Sequence, residues 1–433
     1  MIFEAIMMPP SVTAAQRPRA EEGAAQTPTA DISVHRLTRR GFIAGGSALA
    51  AVGLAQRAFA ASPAQQTAAL PSAIRVHLFS GLEVSRIDVT AGAPLSVSIG
   101  SATRQMQALT FASSGALTGQ LTNLNVGDAT VTVRSDAPLE VSASGPTASH
   151  APRHYNGSIV LQRSGASVLA VNAIDLDSYV ASTLASEISP SWHVESLKAQ
   201  AIVTRTYGVR AAAHSMARPY DVTDDTSNQV YQGLGSVVPA FTAAASATSG
   251  MTLQAAGQPA EVFYHATCGG HTADVIELTG REGPTYLRGI DDSDNGRPYC
   301  TPAPFFAWEN TIKPDDLARV VGELSDIQVK DRWLDLRAKT VRIVRNSGAP
   351  SYDMDGRQFY AQVAGALGYK VLPSTMFDVI ETVDGYLFKG HGLGHGVGMC
   401  QWGARGRANA GMPAAQIVEA YFPGTVLVNA SIR

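Results

Sequence analysis

The 433-residue chain carries 36 acidic and 33 basic side chains, a net charge of -3. That leaves no basic footprint and excludes nucleic acid as an expected partner. Hydrophobic residues make up 45% and charged ones 16%, the balance of a globular chain with one or two large cores rather than a disordered or fibrous one.

In chain order, residues 1–35 are rich in Ala, Pro, Gln and Thr without periodicity and read as a disordered leader. Arg36-Leu37-Thr38-Arg39-Arg40-Gly41-Phe42-Ile43-Ala44 follows, then a Gly/Ala-rich apolar run through Leu54 and the tripeptide Ala58-Phe59-Ala60. Paired arginines, a modest apolar segment and a small-x-small end make a twin-arginine signal peptide, with cleavage expected between Ala60 and Ala61. The expected location is therefore periplasmic or extracytoplasmic. No other apolar run is long enough to span a bilayer, so no stable membrane span is expected after cleavage.

From Ile74 to about Leu139 the sequence alternates, as in Ile74–Phe79, Arg86–Val89, Leu95–Ile99 and Ala129–Val133. Gly and Pro punctuate these runs, which predicts short antiparallel strands in a β-rich region over 61–150. Ser142–Arg153, rich in Ser, Pro and Gly, reads as a joint to a second region over 151–433. Strands are expected at Ser158–Ala173, Val262–His265, Val341–Val344 and Phe377–Thr382, and a last helix at Pro413–Phe422. The fold class is α+β, with small mixed sheets around a helical block.

That block begins at Tyr179–Ile188, where Val180, Leu184 and Ile188 recur at helical spacing. Glu187, seven residues from Val180, shares the apolar stripe. Two readings stand: a partly buried carboxyl that keeps its proton near neutrality, as a general acid must, or a helix-end glutamate turned to solvent. A second helix is expected from Trp192 to about Ala213. In it Lys198 and Arg205 lie about 10 Å apart along the axis, so placed that they could grip a polymer or form a solvated face.

Three motifs give this block a family resemblance. They are Glu195-Ser196-Leu197-Lys198-Ala199-Gln200-Ala201 with Thr204-Arg205-Thr206-Tyr207, then Asp225-Thr226-Ser227-Asn228-Gln229-Val230-Tyr231, and Gly390-His391-Gly392-Leu393-Gly394-His395-Gly396-Val397-Gly398-Met399-Cys400-Gln401-Trp402-Gly403-Ala404. The chain resembles the stage II sporulation protein D (SpoIID/LytB) family over roughly residues 155–428. Cys400 stands where the family has Ser, which argues against a required hydroxyl nucleophile there. The resemblance implies Glu187 as the catalytic residue, with Lys198, Gln200, Arg205, Tyr207, Gln229, Tyr231, His391, His395 and Gln401 toward the substrate. The alternating glycines of 390–406 read either as a groove floor that a sugar chain approaches closely or as a tight packing crossing.

His265-Ala266-Thr267-Cys268-Gly269-Gly270-His271 spaces His265, Cys268 and His271 as metal ligands, and the resemblance implies zinc in some relatives. A closed structural site needs a fourth ligand, which the loop lacks. In an oxidising compartment a Cys268–Cys300 disulfide is the competing reading, with Cys400 left unpaired, and free thiols are the third.

What the resemblance implies is lytic cleavage of the β-1,4 bond between N-acetylmuramic acid and N-acetylglucosamine in peptidoglycan glycan strands. Glu187 would act alone and no cofactor would be required. A hydrolase would need a second carboxylate, for which Asp224 and Asp225 are the candidates. Two rivals stand beside this reading: a non-catalytic enhancer of a cell-wall amidase, and a zinc amidase using His265 and His271.

Overall fold

A computed structural model describes residues 69–119, 122–345 and 349–432. The leader and the signal segment up to residue 60 lie outside the described residues. Eleven strands form one large sheet. Its path runs from Val222–Thr223 through Ala73–His77, Ser167–Asp175, Ser158–Ser164, Val131–Arg134, Arg86–Ile99, Ala102–Ala112 and Ala116–Gly119 to Thr122–Asn125. Leu139–Ser144 and Ser149–Tyr155 branch from Arg86–Ile99.

The expected strands are there, except that two of them fuse and Val262–His265 shortens to Tyr264–His265. Arg86–Ile99 is one long strand whose Ile87, Val89, Leu95 and Val97 are buried. A register shift against Ala102–Ala112 falls between Thr90 and Leu95, so Pro94 sits where an irregular ladder tolerates a missing donor. The expected joint at Ser142–Arg153 is not one: it lies largely within an antiparallel hairpin of Leu139–Ser144 and Ser149–Tyr155. The small polar residues that suggested a linker alternate there with buried Leu139, Val141 and Ala143, and that alternation makes a strand. Nor does the sheet divide near residue 150. Ala73–His77 pairs antiparallel with Ser167–Asp175 and parallel with Val222–Thr223.

The helices among the described residues are α1 (Leu176–Glu187), α2 (Val194–His214), α3 (Pro239–Ala247), α4 (Ile276–Thr279), α5 (Pro314–Val321), α6 (Gly356–Leu367), α7 (Gln401–Asn409) and α8 (Ala414–Tyr421). The fold class is thus α+β. No helix among them is long and apolar enough to cross a membrane. Asp175 starts α1 by accepting the backbone N–H of Ser178, which places its first turn ahead of Tyr179.

α2 lies between two cores. Leu197, Ala201 and Val209 face the core of the large sheet, whereas Ala199, Ile202 and Val203 face the core that holds α7 and α8. A helix covered on both sides needs small or apolar residues all round rather than one stripe, which its Ala-rich sequence provides. A third core lies within residues 308–388, where two three-stranded sheets pack with α5 and α6 around Phe359, Phe377 and Phe388.

Candidate active site

Glu187 ends α1 with 3% of its surface exposed. Tyr264 Oη donates to Glu187 Oε1 at 3.0 Å, Gln229 Nε2 donates to Tyr264 Oη at 3.2 Å, and Tyr179 Oη donates to Gln229 Oε1 at 2.6 Å. All three bonds point their donors toward the carboxyl. Burial nevertheless dominates and pushes the carboxyl up to about 7, against the smaller opposing pulls of Tyr264, the Val230 backbone and Gln401. Gln401 lies close enough to act on Glu187, yet neither of its amide atoms makes a hydrogen bond of ordinary geometry. Oε2 of Glu187 has no such bond either. The site therefore presents a carboxyl that keeps its proton to about neutrality, with one oxygen held and the other without a hydrogen bond of ordinary geometry.

Three separate stretches build it. The parallel bridge of Tyr264–His265 with Met399–Cys400 sets Tyr264 beside the start of α7, where Gln401 follows. The segment 228–230 brings Gln229. Tyr264 is the member of this cluster that the sequence did not single out; it stood only as one position in a short expected strand, with nothing local tying it to Glu187.

The other expected site residues divide. Gln229 and Gln401 join Glu187, as described. Arg205 does not reach a groove: it is fully buried, donating to Asp177 and to the Ala245 carbonyl at 2.8 Å each and to Thr248 at 3.1 Å. The helix stripe that carries it faces α1 and α3 rather than water, so it is a structural cation. Lys198 is half-buried and pairs with Glu195 at 2.8 Å. Tyr231 is also a core residue, fully buried between Tyr155 and Tyr179 with its hydroxyl on Asn172 at 2.6 Å. Gln200 is buried within α2, and Tyr207 accepts from Asn228 at 3.0 Å.

Asp224 is spent on Phe79 N, Ser80 and Arg153, and Asp225 on Thr223, Ser227 and Ser80. Neither bonds to the Glu187 group among the described residues.

His391 is exposed, with Nδ1 on the Phe306 carbonyl at 2.9 Å. His395 is half-buried and lies 5.6 Å from the His265 ring. Desolvation, with Arg337 nearby, holds it down to about 3, so it stays neutral. The Gly-rich segment is a packing crossing. Gly392, Gly396 and Gly398 adopt φ of +84°, +79° and +72°, a region L side chains avoid. A Cβ on Gly398 would sit 2.2 Å from the Phe263 carbonyl oxygen, and one on Gly396 would sit 2.5 Å from the Arg337 guanidinium. Protein atoms, not a ligand, fill the space these glycines leave.

The expected metal loop rearranges its membership. His265 and His271 turn to the carbonyls of Val397 and Thr272. Cys268 instead meets Cys300, Cys400 and Asp292, all buried, and all three thiols are free. Asp292 carried no signal in the sequence; only the fold brings it beside cysteines 24 residues before it and 108 after it (292 less 268, and 400 less 292).

Residues 164–254 match the family model described as stage II sporulation protein. An uncharacterized protein of Brachyspira hyodysenteriae is 29% identical over 64% of this chain and 72% of its own length. The stage II sporulation protein D of Bacillus subtilis is 27% identical over 60% of this chain and 76% of its own. The amidase enhancer of the same organism is 27% identical over 56% of this chain but only 39% of its own length. Over residues 164–254, which hold the Glu187 helix and the α2 motif, the chain is thus similar to the stage II sporulation protein D family.

Proposed function

We propose that this chain is an exported lytic transglycosylase that cuts the N-acetylmuramic acid to N-acetylglucosamine β-1,4 bond of peptidoglycan glycan strands. One observation carries the reading: the buried Glu187 carboxyl is pushed up to about 7, with Oε1 held by Tyr264 and Oε2 without a hydrogen bond of ordinary geometry. Glu187 would give its proton to the glycosidic oxygen as the C1–O bond breaks and the N-acetylglucosamine end departs. The resulting carboxylate would take the proton of the sugar's own 6-hydroxyl as that oxygen closes on C1. Atoms balance without water, the carboxyl is restored, and one acid suffices where hydrolysis would need two. The Tyr179–Gln229–Tyr264 chain would steady the carboxylate between the two transfers.

A second reading rests on the near-complete burial of Glu187 and on the relative named amidase enhancer: a glycan-binding protein that stimulates a cell-wall amidase without cutting. Mass spectrometry of products from whole peptidoglycan and from peptide-free glycan separates the two. The transglycosylase yields fragments ending in 1,6-anhydro-N-acetylmuramic acid, one water lighter than the reducing sugar, and Glu187→Gln abolishes them with a loss of at least about 10²-fold. Glycan binding with no released fragment, and amidase stimulation retained by Glu187→Gln, overturns the reading in favour of the enhancer.

Export is proposed from Arg39-Arg40-Gly41-Phe42. Arg39→Lys with Arg40→Lys should abolish it, and unchanged export of that double variant would refute the route.

A further inference from the structure

We propose that Cys268, Asp292, Cys300 and Cys400 are the four ligands of a closed zinc site, separate from the Glu187 carboxyl. Their ligating atoms all lie within 4.8 Å of one another, and all four residues are buried. Cys268 Sγ is 3.6 Å from Cys300 Sγ and 3.3 Å from Asp292 Oδ2. Tetrahedral zinc with Zn–S of about 2.3 Å and Zn–O of about 2.0–2.2 Å sets neighbouring ligand atoms roughly 3.4–3.8 Å apart. The two measured edges are close to that range.

Backbone N–H groups point at two of the three sulfurs. Gly270 N donates to Cys268 Sγ at 3.3 Å, and Cys400 Sγ accepts from Cys268 N at 3.3 Å and from Gly403 N at 3.2 Å. Backbone donors aimed at sulfur favour thiolates, the form that binds metal. Asp292 is held from behind: Tyr421 Oη donates to its Oδ1 at 2.8 Å and Arg407 Nε at 3.0 Å, leaving Oδ2 toward the thiols. That is the outer-shell pattern by which ligating carboxylates are oriented. A disulfide between two of the cysteines would leave a third thiol and a buried carboxylate facing a neutral bridge. A dication gathers all four groups, and binding releases the thiol protons to solvent. Three soft sulfurs select zinc over magnesium or calcium.

The ligands come from four stretches of chain: the loop after Tyr264–His265, the two flanks of the 293–298 hairpin, and the residue that caps α7. Gln401 follows Cys400 directly, so the site also fixes the segment that sets this amide beside Glu187. His265 and His271, the ligands the loop spacing suggests, are outside it.

The full chain, purified under reducing conditions, should hold close to one equivalent of zinc by elemental analysis. Cobalt(II) in its place should give thiolate-to-metal charge-transfer bands and the visible spectrum of a tetrahedral centre. Cys400→Ser should lose the metal, whereas His271→Ala should keep it. Tyr421→Phe, which removes one hydroxyl and preserves the packing, should weaken zinc binding about 10–100-fold, so the proposal stays testable if the cysteine variants do not fold. Any one of three results overturns it: less than a tenth of an equivalent of metal with no uptake on titration, a Cys268–Cys300 disulfide in protein never exposed to reductant, or metal lost by His271→Ala but kept by Cys400→Ser. None of these readouts depends on glycan cleavage, so the metal site and the transglycosylase reading fail separately.

Discussion

Burial of Glu187 makes its chemistry and its cost the same fact. The folded carboxyl lies at about 7 against an ordinary 4.5, a difference of roughly 3 kcal/mol. Because the folded value is raised, the unfolded chain ionises first as pH rises. The penalty is absent below about pH 4.5, grows between 4.5 and 7, and is constant above. Glu187→Gln should therefore be more stable than the wild type at pH 8, with the gap closing toward pH 4 in denaturant titrations; a gap independent of pH would show that the carboxyl titrates normally. On the proposed mechanism, glycan cleavage should fall as pH rises through about 7, since only the protonated form donates. The cations of α2 should behave unlike each other. Arg205→Ala would empty a fully buried site and remove the bonds to Asp177, Thr248 and the Ala245 carbonyl, and should cost about 3 kcal/mol. Lys198→Ala, on a half-exposed pair, should change stability by less than about 0.5 kcal/mol. Thermal melts of both variants test the contrast.

Among the elements, the 392–398 segment is the one whose sequence is most dictated by backbone. It lies along residues 267–273 through isolated bridges of Thr267 with Leu393 and Ala273 with Val397, and just beyond it Met399 N donates to the Phe263 carbonyl. Gly398→Ala meets both a positive φ and a carbonyl oxygen at 2.2 Å. It should cost more than about 2 kcal/mol and should displace Cys400 and Gln401, which a combined melt and metal analysis would register. A neutral outcome would mean that the segment yields easily. α7 is similarly constrained, since its cap is the Cys400 sulfur accepting from Gly403 N. A serine can cap as well as a cysteine, so capping alone does not explain the thiol at this position.

For the whole molecule, the large sheet is the decisive object. Ile74 and Val76 are fully buried on a strand with partners on both sides, and the Phe79 and Ser80 amides satisfy the buried Asp224. A fragment covering 151–433 would lose that strand and leave the carboxylate without those donors. It should show no cooperative unfolding transition, whereas the chain from residue 61 should show one. Cooperative melting of the fragment would establish the β-rich region as an independent domain.

The sequence by itself determined the local facts. Alternation marked most of the strands because inward and outward side chains differ along each one. Spacing put Glu187 in line with the apolar stripe of α1 without deciding between burial and solvent, and the long motifs carried the family resemblance. Sequence could not decide what depends on partners distant along the chain. Arg205 reads as a surface cation until α1 and α3 close over it, Tyr231 reads as a binding residue until two tyrosines enclose it, and the fusion across residue 150 exists only in strand pairing. Tyr264 reaches Glu187, and Asp292 reaches three cysteines, through contacts 77 and up to 108 residues apart. Periodicity reports the face a residue presents, whereas the identity of what covers that face is settled only when the chain packs.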